Sequence, residues 1–335
     1  MTDTLTLNTG VTIPRLGLGC WMGIPVSPCS EVNDDTFQMV KRGLELGYMH
    51  LDTASGYGNE ESVGRAIRES GKTREEIFLT TKLNNPDHGR VREAFDASLA
   101  RLGTEYIDLY LMHWPQAIGP NGPLPPDASP TFVETWQAME RLFLEERKGK
   151  VKAIGVSNFS IQNLSKLLEV AKVVPAVEAH PFLPNTELAE YCKEKGIVMT
   201  AYSPLGQGPL ILSDPLLTRL SSRYSRPAGS IVLSWALQRD PGNWTVVPKS
   251  SNPERLRQNL ETVTLEQEDL DALSALHKEP GKYTSLCDFG NASEPAGVLF
   301  GWRIKEDLGF DYPITVREDG GWQARMRERD ASEGK

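Results

Sequence analysis

The sequence predicts an α/β protein that folds as a single (β/α)8 TIM barrel, and three observations support this prediction. Short β-rich segments alternate with amphipathic helical segments through most of the chain, a pattern typical of parallel sheets with right-handed helical crossovers. Eight strand segments can be counted, which favours a closed barrel over an open doubly wound sheet. The length of 335 residues also lies within the range of one such barrel.

The predicted barrel strands are short and end in polar residues. In chain order they are Leu16–Cys20, Tyr48–Asp52, Phe78–Lys82, Ile107–His113, Val151–Ser157, Ala176–His180, Val198–Tyr202 and Thr245–Lys249. Helical patterns between them include Thr36–Leu46, Glu61–Glu69, Val91–Leu102, Phe132–Glu146, Ile161–Ala171 and Leu188–Lys195.

Three segments lie outside this alternation. The opening TLTLNTGVTIPRLGLG predicts an N-terminal β-hairpin around Asn8-Thr9-Gly10. A Pro/Gly-rich loop, WPQAIGPNGPLPPDASP, follows His113 and is longer than most strand–helix connections. After Leu276 comes an irregular tail whose aromatic residues either fold over a pocket or pack against the barrel wall. These residues are Tyr283, Phe289, Phe300, Trp302 and Phe310.

The predicted domain organisation is a barrel with its C-terminal loop over residues 1–312, followed by a charged tail over residues 313–335 that we expect to be disordered. The net charge of −9 argues against nucleic acid as a partner, because phosphate binding favours a basic surface. No apolar run reaches the roughly 18 residues of a membrane span, and MTDTLTLNTG lacks the features of a signal peptide. We expect a monomer or weak dimer with a small-molecule partner and no membrane partner.

The cysteines indicate the compartment. Cys20, Cys29, Cys192 and Cys287 lie far apart without C-x-x-C spacing, which is typical of free thiols in a reducing environment. The expected location is therefore cytoplasmic.

In a (β/α)8 barrel the carboxyl ends of the strands share one face, where active sites lie. Asp52 ends the second predicted strand and Tyr57 follows it, Lys82 ends the third strand, and His113 ends the fourth. The later strands end in Ser157 and Asn158, Glu178 and His180, Tyr202 and Ser203, and Lys249 and Ser250. Taken singly, such residues are usually helix caps, turn residues or solvated cations.

Together the first four suggest chemistry. Lys82 ends an apolar strand, so we expect its amine to be partly desolvated. A cation in that position needs a negatively charged partner, which Asp52 can supply. A cation beside Tyr57 is expected to lower the pKa of its phenol from about 10 and make it a useful general acid. His113 can donate a hydrogen bond to a substrate oxygen. No metal site is predicted, because His113 and His180 lack suitably spaced companions.

This set fits carbonyl reduction, in which the phenol protonates oxygen and a cofactor supplies hydride to carbon. With GLGCW, VGRAI, LMHWP, AIGVSNF, AYSPLG and VPKSSNPERLRQN, it resembles the aldo-keto reductases in order from Leu7 to Leu276. VLFGW in the tail resembles fungal-type sugar, glycerol and carbonyl reductases. The resemblance implies a (β/α)8 reductase that uses NADP(H) without a Rossmann domain.

The resemblance also implies roles for individual residues. Tyr57 is the proton donor, Asp52 and Lys82 tune it, and His113 orients the carbonyl. Trp21 and Trp114 line the substrate pocket with Tyr57 and His113. The implied cofactor residues begin with Cys20, through its backbone, and Asp52. Ser157 and Asn158 bind the carboxamide, and Tyr202 stacks on the nicotinamide ring. Ser203, Leu205 and Gly206 lie along the pyrophosphate, Lys249, Ser250 and Arg255 surround the 2′-phosphate, and Gln258 and Asn259 contact the adenine.

The sixth strand departs from the family pattern. The family has an Asn-Gln pair before Val-Glu-x-His-Pro, but VVPAVEAHP is too short and lacks the glutamine. Aligned backward from His180, the glutamine position falls on Ala176, whereas aligned forward from Val174 and Pro175 three residues are absent. Either way one carboxamide partner is lost. We therefore predict that Ser157 and Asn158 hold the nicotinamide carboxamide without it, helped at most by Glu178 or water, and that turnover is modest.

Alternative functions stay open at this stage. A non-catalytic nucleotide sensor on the same barrel has no need of the four-residue set, and a Rossmann dehydrogenase is disfavoured because the glycines of GLGCWMG do not form G-x-G-x-x-G. The segments that shape the pocket are irregular. Sugar, glycerol, polyketide and lipid carbonyls all remain possible substrates.

Overall fold

The protein is described by a computed structural model over residues 3–23, 31–171, 175–178, 180–206, 209–239, 242–285 and 297–311. For residues 31–33, 175–178 and 209 the description covers the backbone only. The predicted charged tail over 313–335 lies outside the described residues, as do Cys29, Cys287 and Phe289.

Eight parallel strands form the central sheet: β3 (Leu18–Gly19), β4 (His50–Asp52), β5 (Phe78–Leu83), β6 (Ile107–Met112), β9 (Val151–Ser157), β10 (Pro175–Glu178), β11 (Met199–Tyr202) and β12 (Trp244–Val247). Three antiparallel pairs lie outside it: β1 (Thr4–Thr6) with β2 (Thr12–Pro14), β7 (Ile118–Gly119) with β8 (Gly122–Pro123), and β13 (Val298–Leu299) with β14 (Trp302–Arg303). The predicted barrel strands are confirmed, with bounds that differ by no more than two residues.

The helices are α1 (Glu31–Leu46), α2 (Glu60–Glu69), α3 (Val91–Leu102), α4 (Phe132–Arg141), α5 (Ile161–Leu168), α6 (Thr186–Glu194), α7 (Pro209–Leu212), α8 (Pro215–Tyr224), α9 (Ala228–Gln238), α10 (Pro253–Asn259) and α11 (Gln267–Ala275). Short 3-10 segments span Ser55–Tyr57, Arg74–Glu76, Asn85–Arg90 and Leu276–Lys278, and a π turn spans Leu142–Glu146. None of the helices in these described ranges is both long enough and apolar enough to cross a membrane.

The sheet order β12-β11-β10-β9-β6-β5-β4-β3 follows the chain. Its two edges meet, because Gly17 N–H donates to the carbonyl of Val246 at 2.8 Å and Gly19 N–H donates to that of Pro248 at 3.0 Å. A parallel bridge between Leu16 and Val246 completes the contact. The structure is therefore the predicted (β/α)8 barrel.

The N-terminal hairpin is confirmed and closes one end of the barrel. Leu7 and Ile13 are buried and pack in one apolar cluster with Phe78, the first residue of β5, and with Leu109 of β6. The hairpin thus covers the amino ends of the strands, and the carboxyl ends form the opposite face.

Helix starts follow from local sequence. Thr131 and Glu134 form a reciprocal capping box at α4. The side chain of Asn252 accepts from Arg255 N–H at the start of α10, where Pro253 occupies the first turn. The predicted helix Phe132–Glu146 is α-helical only as far as Arg141, after which the π turn begins.

Residues 297–311 of the tail pack against the Pro/Gly-rich loop that follows His113. Gln116 donates to the carbonyl of Leu299 at 3.0 Å, and the Trp302 indole donates to that of Leu124 at 2.7 Å. Phe300 meets the Trp114 ring edge-to-face at 5.3 Å. Trp302 is also buried in the main apolar cluster of the barrel, which agrees with packing against the barrel, while Phe300 contacts a predicted pocket residue. Tyr283 does neither and is 44% exposed.

Candidate active site

The four predicted catalytic residues meet at the carboxyl face of the barrel. Asp52 ends β4, Lys82 lies at the penultimate position of β5, and His113 directly follows β6. Tyr57 ends the 3-10 turn that follows β4, and Gly58 reverses the chain there with φ of 74°. Because β4, β5 and β6 are neighbours in the sheet, these residues become neighbours in space.

The Lys82 ammonium is the centre of the group. It donates to Asp52 Oδ1 at 2.5 Å and to the carbonyl of Thr53 at 2.8 Å, and it lies 3.5 Å from the Tyr57 hydroxyl. Lys82 and Asp52 are 4% and 5% exposed, so this ion pair is largely removed from water. Burial acts to lower the pKa of Lys82, but the attraction of Asp52 and Tyr57 outweighs it and the net pKa is raised. Lys82 therefore stays charged.

The predicted lowering of the Tyr57 pKa is wrong in this structure. Burial raises the pKa of the phenol above its ordinary value, and the opposing attraction of Lys82 does not overcome it. Asp52 adds to the rise, because its negative charge disfavours a nearby phenolate. Tyr57 is consequently a protonated phenol at neutral pH.

His113 stands beside Tyr57, with ring centroids 5.6 Å apart and planes at 71°. Its pKa lies well below the usual value, first because the surrounding protein desolvates the partly buried ring and second because Lys82 is positively charged. The imidazole is therefore neutral and offers one N–H donor.

Of the two predicted pocket tryptophans, Trp21 contacts this group directly and Trp114 follows His113 in the chain. Trp21 packs against Tyr57 at 5.0 Å between ring centroids, and Trp114 is buried beneath Phe300. Phe300 appeared in the sequence only as a tail aromatic. Its contact with Trp114 depends on tail packing that no local pattern indicates.

Residues after the fifth and seventh barrel strands form a connected network. Asn158 donates to the carbonyl of His113 at 2.9 Å and to Ser157 Oγ at 3.0 Å. It also accepts from the Tyr202 hydroxyl at 2.6 Å. Asn158 and Ser203 adopt left-handed backbones with φ of 64° and 47°, which turn the chain sharply as it leaves each strand.

The segment predicted to lie along a pyrophosphate is a tight turn. Gly206 N–H donates to the carbonyl of Ser203 at 2.9 Å, and Gly206 itself has φ of 65°. The Leu205 side chain points toward Gly229 near the start of α9, where a Cβ on that glycine would lie 3.8 Å from it.

Two cations lie together after the last barrel strand. Burial lowers the pKa of Lys249, and the positive charge of Arg255 lowers it further. Neither side chain forms an ion pair with a carboxylate in the described part of the chain, whereas neighbouring Arg257 pairs with Glu254 and Glu261. Ser250, which lies between Lys249 and Arg255 in the chain, accepts a hydrogen bond from Asn252 N–H at 3.2 Å. The Asp35 carboxylate offsets part of the charge of Lys249, and the pair still offers two cations to an anionic group.

The two residues predicted to contact the adenine lie on α10. Gln258 donates to Glu254 at 3.0 Å, and Asn259 is buried at the end of the helix. Cys20 is buried beside Asp52, and its N–H donates to the Asp52 carbonyl at 2.9 Å.

The shortened sixth strand keeps its place in the barrel. In β10, Ala176 pairs with Ser157 on one side and with Thr200 on the other. The position aligned with the missing glutamine thus lies next to Ser157. The side chain of Glu178 lies outside the described ones.

Sequence reasoning missed Asn59, which is fully buried next to this site. Its side chain accepts from the Thr53 hydroxyl at 2.8 Å and donates to the Cys20 carbonyl at 2.7 Å. Its place between a turn and α2 predicts an ordinary helix cap, but the side chain makes no capping bond.

Comparison with known proteins agrees with this geometry. Residues 15–278 match the Aldo/keto reductase family. The chain is 42% identical over 304 residues to a glycerol 2-dehydrogenase (NADP(+)) of Saccharomyces cerevisiae, covering 84% of this chain and 93% of that protein. It is 38% identical over 310 residues to a D/L-glyceraldehyde reductase of Hypocrea jecorina, covering 84% and 89% respectively.

Solved structures give the same result. A Bombyx mori aldo-keto reductase in complex with NADP matches with a TM-score of 0.74 and 34% identity, covering 82% of this chain and 92% of that one. An aldo/keto reductase of Brucella melitensis matches with a TM-score of 0.71 and 38% identity, covering 82% of this chain and 100% of that one. With the barrel and the Asp52–Tyr57–Lys82–His113 arrangement, these matches show that the chain belongs to the aldo/keto reductase family.

Proposed function

We propose that this protein is an NADPH-dependent reductase of aldehydes or ketones in which Tyr57 is the general acid. One observation carries the proposal: the buried Lys82 ammonium is shared between the Asp52 carboxylate at 2.5 Å and the Tyr57 hydroxyl at 3.5 Å. A non-catalytic nucleotide sensor has no use for this arrangement.

Tyr57 is suited to giving up a proton during the reaction and not before it. Its raised pKa keeps the phenol protonated at neutral pH, which is the form that can protonate a carbonyl oxygen. As the proton leaves, negative charge develops on the phenolic oxygen next to Lys82. That cation stabilises the developing charge in a site with little water, where such an interaction is strong.

His113 is suited to orienting the substrate. As a neutral imidazole next to Tyr57, it can donate one hydrogen bond to the same carbonyl oxygen without competing as an acid. The Asn158 side chain holds the His113 carbonyl at 2.9 Å, which supports the position of this residue.

NADPH fits the residues at the rim of the site. Lys249 and Arg255 form no close ion pair within the described residues, and the Asp35 carboxylate offsets only part of the charge of Lys249. Two such cations suit a phosphate dianion. We propose that they bind the 2′-phosphate with Ser250, that Gln258 and Asn259 contact the adenine, and that Ser203, Leu205 and Gly206 follow the pyrophosphate. Ser157, Asn158, Tyr202 and the Cys20 and Asp52 strand ends then lie toward the nicotinamide. When bound, the cofactor supplies the hydride.

Glyceraldehyde is the substrate we would test first. The relatives include a glycerol 2-dehydrogenase and a D/L-glyceraldehyde reductase. The Trp21 ring packs against the phenol, and Trp114, which directly follows His113, packs against Phe300. We further propose a reducing cytosolic location, because the two cysteines within the described ranges, Cys20 and Cys192, are free thiols.

Replacing Tyr57 by phenylalanine tests the proposal. Tyr57→Phe keeps the ring and removes only the transferable proton, so we expect loss of glyceraldehyde reduction with nearly unchanged NADPH binding, followed by tryptophan fluorescence. Tyr110→Phe is the matched control, because Tyr110 is a buried barrel tyrosine whose hydroxyl makes no hydrogen bond within the described part of the chain. Activity of Tyr57→Phe above roughly a tenth of wild type, a loss below about 1.4 kcal/mol, would remove Tyr57 from the acid role.

A further inference from the structure

Asn59 joins three segments that meet at the active site. It is fully buried, and its two side-chain hydrogen bonds run to Thr53 after β4 and to Cys20 after β3. Tyr57 lies two residues before it on the same turn. The amide therefore links the turn that carries the phenol to the ends of two barrel strands.

Each partner of Asn59 continues directly into the site. The carbonyl of Thr53 accepts from the Lys82 ammonium at 2.8 Å. Cys20 precedes Trp21, whose ring packs on Tyr57 at 5.0 Å. One side chain is thus connected to the cation beside the phenol and to the aromatic ring that covers it.

The bonds do not serve the helix that Asn59 begins. Asn59 precedes α2 but its side chain makes no capping bond. The start of α2 is instead held by Glu60, which is 1% exposed and accepts from Thr81 at 2.6 Å and from Arg101 at 2.7 Å. Because Glu60 anchors the helix independently, Asn59 is free for another task.

We propose that Asn59 is a positioning residue that fixes the Tyr57 hydroxyl against Lys82 and beneath Trp21. An amide is suited to this task because it accepts from the Thr53 hydroxyl and donates to the Cys20 carbonyl at the same time. A carboxylate of the same shape retains only the first of these bonds. This inference rests on the proposed function for its kinetic consequence but not for its structural one.

Two substitutions test it. Asn59→Ala removes both bonds, and Asn59→Asp keeps the shape while losing the donor to Cys20. We expect kcat for glyceraldehyde with NADPH to fall by about tenfold or more in both, because small misplacements of a reacting group slow proton transfer strongly. NADPH affinity should change much less than kcat, because the side-chain hydrogen bonds of Asn59 run to Thr53 and Cys20 and not to Lys249, Ser250 or Arg255. Asn243→Ala is the control: it removes an amide that donates to the Ile197 carbonyl at 2.9 Å, next to the amino end of β12.

A spectroscopic readout makes the structural claim independent of activity. In protein labelled with 3-fluorotyrosine, the 19F resonance lost in Tyr57→Phe belongs to Tyr57, and the nearby Trp21 and His113 rings make it sensitive to position. We expect this resonance to move in Asn59→Ala and Asn59→Asp and to stay in place in Asn243→Ala.

The outcomes separate the two proposals. An unmoved Tyr57 resonance in a folded Asn59 variant overturns the positioning role, whatever the activity. If Asn59→Ala does not fold, the isosteric Asn59→Asp decides. A wild-type protein that does not reduce carbonyls, or is insensitive to Tyr57→Phe, refutes the proposed function instead, and the resonance still tests Asn59.

Discussion

Burial shifts the pKa values of Tyr57 and Lys82 in opposite directions, upward for the phenol and downward for the amine. Burial disfavours charge on both, so it favours a neutral phenol and would favour a neutral amine. Asp52 counteracts this for Lys82 at 2.5 Å and keeps the cation. The same carboxylate raises the pKa of Tyr57. Asp52 therefore favours both the charged form of Lys82 and, in addition to burial, the protonated form of Tyr57.

At the same scale, Lys249 and Arg255 should decide the choice between NADPH and NADH. Replacing both by alanine removes the positive pair, so we expect a higher KM for NADPH and little change for NADH. Arg257→Ala is the control, because Arg257 is already paired with Glu254 and Glu261 on the same helix. Steady-state kinetics with both cofactors measures the effect. Equal KM values for NADPH and NADH in the unmodified protein would contradict the prediction.

Ser157 should carry an unusual share of nicotinamide binding. Ala176, on which the family's glutamine position falls when aligned backward from His180, lies beside Ser157, so we predict that Ser157 and Asn158 hold the carboxamide without that glutamine. Ser157→Ala should weaken NADP⁺ binding by about 0.5–1.5 kcal/mol, one hydrogen bond, measured by fluorescence titration. A structure with bound NADP⁺ in which a side chain of residues 174–180 reaches the carboxamide would show the prediction to be wrong.

At the scale of elements, the short barrel strands work mainly by their ends. β4, β5 and β6 bring Asp52, Lys82 and His113 to one face, while the 3-10 turn after β4 adds Tyr57. The loops are held just as specifically, since Gln116 and Trp302 bond the tail to the Pro/Gly-rich loop. Strands place the polar groups, and the bonded loops add the aromatic ones.

Packing between α2 and α3 leaves no room at Gly64. A Cβ there would lie 1.9 Å from the Leu102 carbonyl oxygen, so Gly64→Ala must force the helices apart and should destabilise the protein by about 3 kcal/mol. Gly229 in α9 is the contrasting control, because its Cβ would meet nothing closer than 3.7 Å. Gly229→Ala should be neutral or stabilising by about 0.5–1 kcal/mol. In thermal unfolding, Gly64→Ala should therefore lower the melting temperature, whereas Gly229→Ala should leave it unchanged or raise it. Equal melting temperatures of the two variants would contradict this packing.

At the scale of the whole molecule, stability should decrease in mild acid. Burial lowers the pKa values of His50 and His88 to about 4 from 6.5. Between those values the unfolded chain binds more protons, so stability is fully present above about pH 6.5 and is lost as the pH falls toward 4.

We expect each histidine to account for a loss on the order of 2 kcal/mol between about pH 7 and pH 5. Unfolding measured at both pH values in His50→Gln and His88→Gln should show a smaller loss than in wild type. His277→Gln, at a less buried site, should behave nearly as wild type does. An unchanged pH dependence in the first two variants would refute the assignment.

The sequence by itself determined the alternation of strands and helices, the N-terminal hairpin and which four candidate side chains meet at one face of the barrel. Strand ends are local features, and in a parallel barrel they all reach one face, so chain order suffices to predict that Asp52, Lys82 and His113 meet. The hairpin followed likewise from turn residues between two short β segments.

Only the tertiary structure decided what surrounds each of these groups. The direction of the Tyr57 pKa shift depends on desolvation by segments distant in sequence, and the charge of Lys82 alone predicted the opposite sign. Asn59 resembled a helix cap until its bonds to Thr53 and Cys20 were seen. Phe300 reaches Trp114 only because the tail is hydrogen-bonded to a loop far earlier in the chain: Trp302 bonds to Leu124, 178 residues before it. Burial and long-range contact are properties of the packed chain, and no short stretch of sequence contains them.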